Sequence, residues 1–245
     1  MDVGNKNYSF ELFTKSQCPE LYKEYRRIKY TVFVLELGWF SLPHASENGM
    51  ADENDFDRRA VFVLAKDSRD RPAGTARGIL IHGSFPHEVL FTHHLSTPEL
   101  APLKDHLATI NAVAVLKEHR GKLARIDYLA PVVSVGKAIM MKLIGRLIEL
   151  GAKVIFVSTN PDREADFFLD LGFYIIDEPF TYDVSPTRLI NMALLVNDSD
   201  RFSEVNSPLV STCAFQIPLD AIEKQARAYL RRMHQMTALK RFNRT

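Results

Sequence analysis

The sequence predicts a mixed α/β (α+β) fold, one sheet with helices on both faces. Three observations point there. Short strand-like runs such as "AVFVLAK" and "AGTARGILI" recur along the chain. They are interleaved with segments whose apolar residues fall at helical spacing, and glycines or turn-rich stretches separate the two kinds. The order is strand, helix, hairpin, strand, helix, strand, helix, strands, which layers helices on a mixed sheet.

"YSFELF" (Tyr8–Phe13) alternates and predicts a short strand. From Pro19, the residues Leu21, Tyr22, Tyr25, Ile28, Val32 and Leu35 mark a helix face, closed by Gly38. "AVFVLAK" and "AGTARGILI" flank the turn-rich Asp67–Pro72 and predict a hairpin. Pro86–His106 is less regular, and "ATINAVAV" (Ala108–Val115) is a further strand. Ile139, Met140, Leu143, Ile144, Leu147 and Ile148 form the apolar face of the clearest helix, opposite Lys137, Lys142 and Arg146, with Gly151 as its stop. "AKVIFVST" is a buried strand, and "NPDREADFFLDLGF" is a turn and an acid-started helix ended by glycine. "YIID", "LINMALLV" and "LVSTCAFQI" supply the remaining strands, and Asp220–Arg241 is a basic amphipathic helix.

With 245 residues, 46% hydrophobic and 25% charged, the chain has material for a full core. A net charge of +1 argues against a nucleic-acid partner. Cys18 and Cys213 lie far apart, which fits neither a metal motif nor a disulfide framework and suits a reducing, cytoplasmic setting. The polar start "MDVGNKNYSF" lacks the order of a signal peptide, and no apolar run approaches the roughly 18 residues of a membrane span.

From "INAVAVLKEHRGK" through "VGKAIMMKLIGRLIELGAKVIFVSTNPDREADFFLDLGF", the chain resembles the acyl-donor half of the GNAT superfamily of N-acyltransferases. The marks are a V-A-V strand, an R-G turn, a helix starting on small residues and a helix ending in L-G-F. The resemblance implies a mostly antiparallel central sheet with splayed strands. It also implies donor contacts from Val113, Ala114, Val115, Arg120, Gly121, Lys122, Gly136, Lys137 and Ala138. Physically, a splayed strand edge can pair with the amides of a thioester's pantetheine arm, and a helix start with small residues favours phosphates. The cosubstrate implied is an acyl thioester of coenzyme A or acyl carrier protein, with no tightly bound cofactor.

The stretch from "ELYK" through "LGW" and the acidic cluster Glu47–Asp57, with Arg77 on the hairpin, resembles acyl-homoserine-lactone synthases and N-acyl-amino-acid synthases. The resemblance implies an acceptor-loop network of Arg27 (or Lys29), Trp39, Asp52, Asp57 and Arg77. A carboxylate in such a loop can bind and help deprotonate an ammonium; the alternative is an ion-pair network that only anchors the loop. Asn54 stands at one acidic position of the synthase pattern, and Ile110–Ala112 offers no charged pair where lactone synthases carry one. Phe168 replaces the tyrosine that often serves as general acid.

The catalytic candidates are therefore Asp57, Asn111, His93 and His94, the histidines because their ordinary pKa suits amine deprotonation. A zinc site from His82, His87, His93 and His94 lacks ligand spacing, and no metal is expected. Residues 1–198 are expected to form the acyltransferase domain and 199–245 a C-terminal extension packed on it, whose basic helix suits docking of an acidic acyl carrier protein. The function implied is acyl transfer from a thioester to a primary amine of a small metabolite or amino acid. The alternatives are lactone synthesis and a non-catalytic thioester-binding module.

Overall fold

The structure is a computed structural model describing residues 8–38, 45–46, 49–51, 53, 55–81, 88–126, 131–162, 164–182, 185–211 and 218–242. In chain order the elements are β1 (Ser9–Thr14), α1 (Pro19–Tyr30), β2 (Ala45–Ser46), β3 (Met50–Ala51), β4 (Val61–Lys66), β5 (Pro72–Leu80), α2 (Thr92–Leu95), β6 (Leu107–Val115), β7 (Leu123–Ala124) and β8 (Val133–Ser134). They continue with α3 (Val135–Glu149), β9 (Val154–Thr159), α4 (Ala165–Leu169), β10 (Tyr174–Ile175), β11 (Phe180–Tyr182), β12 (Ser185–Leu195), α5 (Ser199–Glu204) and α6 (Ala221–Phe242). The chain forms two compact units, Met1–Ile79 with Ile110–Leu147, and Leu80–Thr109 with Ile148–Thr245. The expected extension at 199–245 lies within the second unit, where α6 packs on β10 and β12.

In the first unit β1 and β5 both pair antiparallel with β4, and the predicted hairpin is β4–β5. Its turn is fixed by Asp67, whose carboxylate accepts from the backbone N–H groups of Arg69 and Arg71 and from the Arg71 guanidinium. One core joins Tyr22, Tyr25 and Ile28 of α1 to Phe13, Phe62, Leu64, Ile79 and Ala114. Glycines on β5 let α3 close in. A Cβ on Gly74 would stand 2.8 Å from both the Ala114 carbonyl oxygen and Ile139 Cδ1. The α1 path does not stop at Tyr30 but widens into a π-helical turn, Thr31–Glu36, before Gly38 ends it at φ 63°.

In the second unit β6 pairs parallel with β9 over Leu107–Thr109, and β9 and β10 pair antiparallel with β12. Its core gathers Phe91, Leu103, Leu107, Phe156, Tyr174, Ile176, Tyr229 and Leu230. Helix α6 starts on a reciprocal cap. The Asp220 carboxylate accepts from the Glu223 N–H, and the Glu223 carboxylate from the Asp220 N–H. The strand expected at "LVSTCAFQI" is instead a 3-10 turn over Pro208–Ser211, and its remainder lies outside the described residues.

Candidate active site

Helix α1 presents Tyr22 and Tyr25 one turn apart, both against Phe62, with ring centroids 5.3 and 4.6 Å away. That packing aims the Tyr22 phenol at the one-turn 3-10 segment Asp55–Arg58, where it donates to Asp57 Oδ2 at 2.6 Å. Asp57 Oδ1 accepts from Arg77 Nη1 at 2.5 Å, and Arg77 Nε donates to Asn111 Oδ1 at 2.6 Å. Asp57 and Arg77 are 1% and 4% exposed, so this charge pair is out of water. Burial works against the Arg77 cation, but Tyr25, Asp57 and Tyr22 outweigh it and the group stays charged. Burial first, then Asp57, pushes the Tyr22 phenol well up. Burial likewise raises Tyr25 to about 12, against the pull of Arg77.

The structure thus brings Asp57, Arg77 and Asn111 together. It does not bring Arg27, which pairs with Glu24 on the solvent side of its own helix. Its neighbour Arg26 reaches the acidic segment instead, donating from Nε to the Ala51 carbonyl at 2.6 Å. Trp39 and Asp52 lie outside the described residues. Tyr22, which looked purely apolar in the helical pattern, is the partner that sequence reasoning missed; its only signal was a phenol beside an acid-rich segment. With both oxygens engaged inside the core, Asp57 is built as an anchor rather than a base. Two polar atoms here, Tyr25 Oη and Asn111 Nδ2, are buried with no hydrogen-bond partner among the described residues.

Directly after Asn111 the strand breaks its own geometry: Ala112 sits at φ 53°, in the left-handed region. Beyond it Val113 and Val115 are half-buried while Ala114 is buried. Arg120, expected among the donor contacts, is already committed. Its Nε donates to the Val115 carbonyl at 2.9 Å, and its guanidinium pairs with Glu36. Gly121 turns the chain at φ 71°, and the Lys122 carbonyl accepts from the Val135 N–H at 2.9 Å. The short β7–β8 ladder then delivers Ser134, whose Oγ accepts from the Lys137 N–H at 3.3 Å, to the start of α3 beside Gly136 and Ala138.

The second unit gathers a different set. His93 and His94 sit on α2, not on an irregular loop, and both meet Asp177 at the end of "YIID". His93 Nε2 lies 3.0 Å from Asp177 Oδ1, and His94 Nε2 2.9 Å from Oδ2. His94 is fully buried, with Nδ1 2.6 Å from the Tyr229 hydroxyl. Asn191 completes the cluster. It donates to Asp177 Oδ2 and to the Leu90 carbonyl, while its own Oδ1 accepts from Ser158. Burial alone would raise the Asp177 pKa, but bonds from His94 and Asn191 and the nearby histidines hold it below the usual carboxylate range.

Both His94 nitrogens are occupied, Nδ1 by the Tyr229 hydroxyl and Nε2 by Asp177. His93 is 62% exposed and edges a cavity of about 490 Å³. The ligating atoms of His93, His94 and Asp177 lie within 4.8 Å of one another, and a metal bound there would have to displace the imidazole–carboxylate hydrogen bonds. His82 and His87 lie outside the described residues. Asp177 and Tyr229 carried no local signal, being 83 and 135 residues from His94.

A mostly antiparallel sheet flanked by helices, with a break in β6 followed by a capped helix start, is a GNAT-like fold. Among solved structures the chain is similar to FeeM, an N-acyl amino acid synthase from uncultured soil microbes, at TM-score 0.59 and 16% identity over 80% of this chain and 96% of that one. It is similar to TofI in a ternary complex with an inhibitor and MTA, at 0.58 and 18% over 82% and 99%. It is also similar to BjaI, a CoA-dependent acyl-homoserine lactone synthase, with MTA, at 0.58 and 12% over 90% and 99%. In sequence, no family model and no curated protein matches the chain.

Proposed function

We propose that the protein is an N-acyltransferase that moves an acyl group from a thioester of coenzyme A or acyl carrier protein to a primary amine of a small molecule. The observation that carries this reading is β6. Its pairing with β9 spans Leu107–Thr109, and the left-handed Ala112 then leaves Val113–Val115 as a strand segment suited to accept the donor's amides as an added strand. The structures it is similar to include an N-acyl amino acid synthase and a CoA-dependent acyl-homoserine lactone synthase, which supports the same class.

In the reaction the amine nitrogen attacks the thioester carbonyl, the C–N bond forms and the C–S bond breaks. The sulfur leaves as thiolate, to be protonated to thiol, and the ammonium proton goes to a base. His93 suits that last role. Its Nε2–H donates to the ionised Asp177, which leaves Nδ1 as the lone-pair nitrogen, as in other Asp-oriented histidines. Lactone synthesis is the less favoured reading, since Ile110–Ala112 offers no charged side chain and Asn111 Oδ1 already accepts from Arg77. The test is thiol release from acyl-coenzyme A and acyl carrier protein thioesters, with and without primary amines. Amine-dependent release with formation of the amide is expected. Thioester binding with no amine-dependent turnover over the whole panel would mark a binding module instead.

A further inference from the structure

Two neighbouring histidines converge where helix geometry would part them. His93 and His94 are consecutive on α2, and successive helical side chains leave the axis about 100° apart. Here their ring centroids lie 3.9 Å apart, and both Nε2 atoms reach the single carboxylate of Asp177. Ligands of a tetrahedral ion with bonds of about 2.0–2.1 Å stand roughly 3.3 Å from one another. The two Nε2–carboxylate distances, 3.0 and 2.9 Å, fall just under that separation. All the ligating atoms lie within 4.8 Å of one another. An ion among them would replace the two imidazole–carboxylate hydrogen bonds, each neutral ring shifting its proton from Nε2 to Nδ1.

The groups behind these three residues are arranged as the outer shell of a metal site is. His94 is fully buried, and its Nδ1 lies 2.6 Å from the Tyr229 hydroxyl. With Nδ1–H donating to that oxygen, Nε2 keeps a lone pair aimed at Asp177. Asn191 holds the carboxylate, donating to Oδ2 at 2.7 Å, and is itself fixed by the Leu90 carbonyl and Ser158. Those bonds survive when an ion takes the place of the histidine contacts. On the open side, His93 is exposed, and with Asp177 it lines the cavity of about 490 Å³. That gives an ion a way in and room for a water or small ligand at its free position. Two imidazoles and one carboxylate select zinc, cobalt or nickel over magnesium or calcium, which take oxygen shells. We infer that His93, His94 and Asp177 bind one divalent transition-metal ion, with Tyr229 and Asn191 as positioning residues. The site does not depend on acyl transfer, but it bears on it. A metal on His93 Nε2 places the ring proton on Nδ1, so metal binding and proton acceptance at His93 exclude each other.

The test is titration of the tag-free, full-length protein, stripped with EDTA, with Co²⁺ and then Zn²⁺. One equivalent of Co²⁺ should give the visible absorption bands of a four- or five-coordinate ion, and one equivalent of Zn²⁺ should bleach them. His93→Ala, at an exposed position, should weaken Zn²⁺ binding by about a hundredfold or more, with unchanged thermal unfolding of the metal-free protein. Tyr229→Phe should weaken it by about 10–100-fold. His106→Ala should leave it unchanged, since that exposed histidine bonds the Gly151 carbonyl instead. No Co²⁺ bands and no Zn²⁺ binding tighter than about 1 mM, or binding that His93→Ala leaves intact, would overturn the site. Zn²⁺ should also suppress amide formation in proportion to its occupancy. Full occupancy without suppression would leave the site standing and remove His93 as the base.

Discussion

Asp57 and Arg77 show how little of a side chain's role its type alone decides. An aspartate in an acidic loop suggests a base, yet here it is a buried acceptor held by a phenol and a guanidinium. Removing one partner of such a pair leaves a buried charge and typically costs about 3–5 kcal/mol, whereas removing both costs less. Arg77→Met and Asp57→Leu should each lower the urea midpoint strongly, and the double variant should be more stable than at least one single. Strict additivity would show that the pair is not coupled. Asp177 makes the complementary case, because its pKa is depressed. Its contribution is present above the unfolded value of 3.8 and is lost as pH falls through the lower folded value. Wild type should therefore lose more stability than Asp177→Asn as pH drops from about 5 toward 3. In catalysis, His93→Ala should reduce kcat/KM by about a hundredfold or more. An unchanged kcat/KM would remove His93 from the mechanism.

Elements were legible where local periodicity is long. Six apolar positions at helical spacing, Ile139 to Ile148, announce α3, and the β4–β5 hairpin follows from two apolar runs around Asp67–Pro72. What stayed hidden was local geometry set by tertiary packing. "YIID" looks like a strand, but its ladder with β12 covers Tyr174 and Ile175, and the Asp177 side chain is taken up by the two histidines and Asn191. No periodicity marks the left-handed Ala112 either, because alanine shows no preference for that conformation. A non-glycine residue there costs about 1–2 kcal/mol. Ala112→Gly should be neutral or stabilising by up to about 1 kcal/mol, and Ala112→Val should destabilise by about 2 kcal/mol, since β-branching resists positive φ. If Val were tolerated without loss of stability or activity, the break in β6 would be incidental. Gly74→Ala probes the same strand from the other side. Its Cβ would press on the backbone oxygen of Ala114, which has little freedom to move, so a loss of about 1–3 kcal/mol is expected.

At the scale of the whole chain, the fold class and the donor-side strand and helix could be argued from sequence order, whereas charge pairing could not. The C-terminal basic helix is the clearest instance. Its sequence suggests an open cationic face, but Arg227 pairs with Asp198 and Asp200, Arg231 with Glu204 and Arg232 with Glu99. Among the described lysines and arginines of α6, only Lys224 stands outside an ion pair. The side chains of Lys240 and Arg241 lie outside the description. Arg120 is likewise held by Glu36, far along the chain. With those charges neutralised from within and a net charge of +1, the protein has little long-range field to steer an acidic carrier protein. Steered association weakens steeply as salt shortens the Debye length from about 10 Å at 0.1 M, while contact recognition does not. For one acyl chain presented on coenzyme A and on acyl carrier protein, kcat/KM should change with added salt by similar factors, within about twofold of each other. A decline of about tenfold or more confined to the carrier-protein donor would show that the α6 arginines leave their internal partners to meet it.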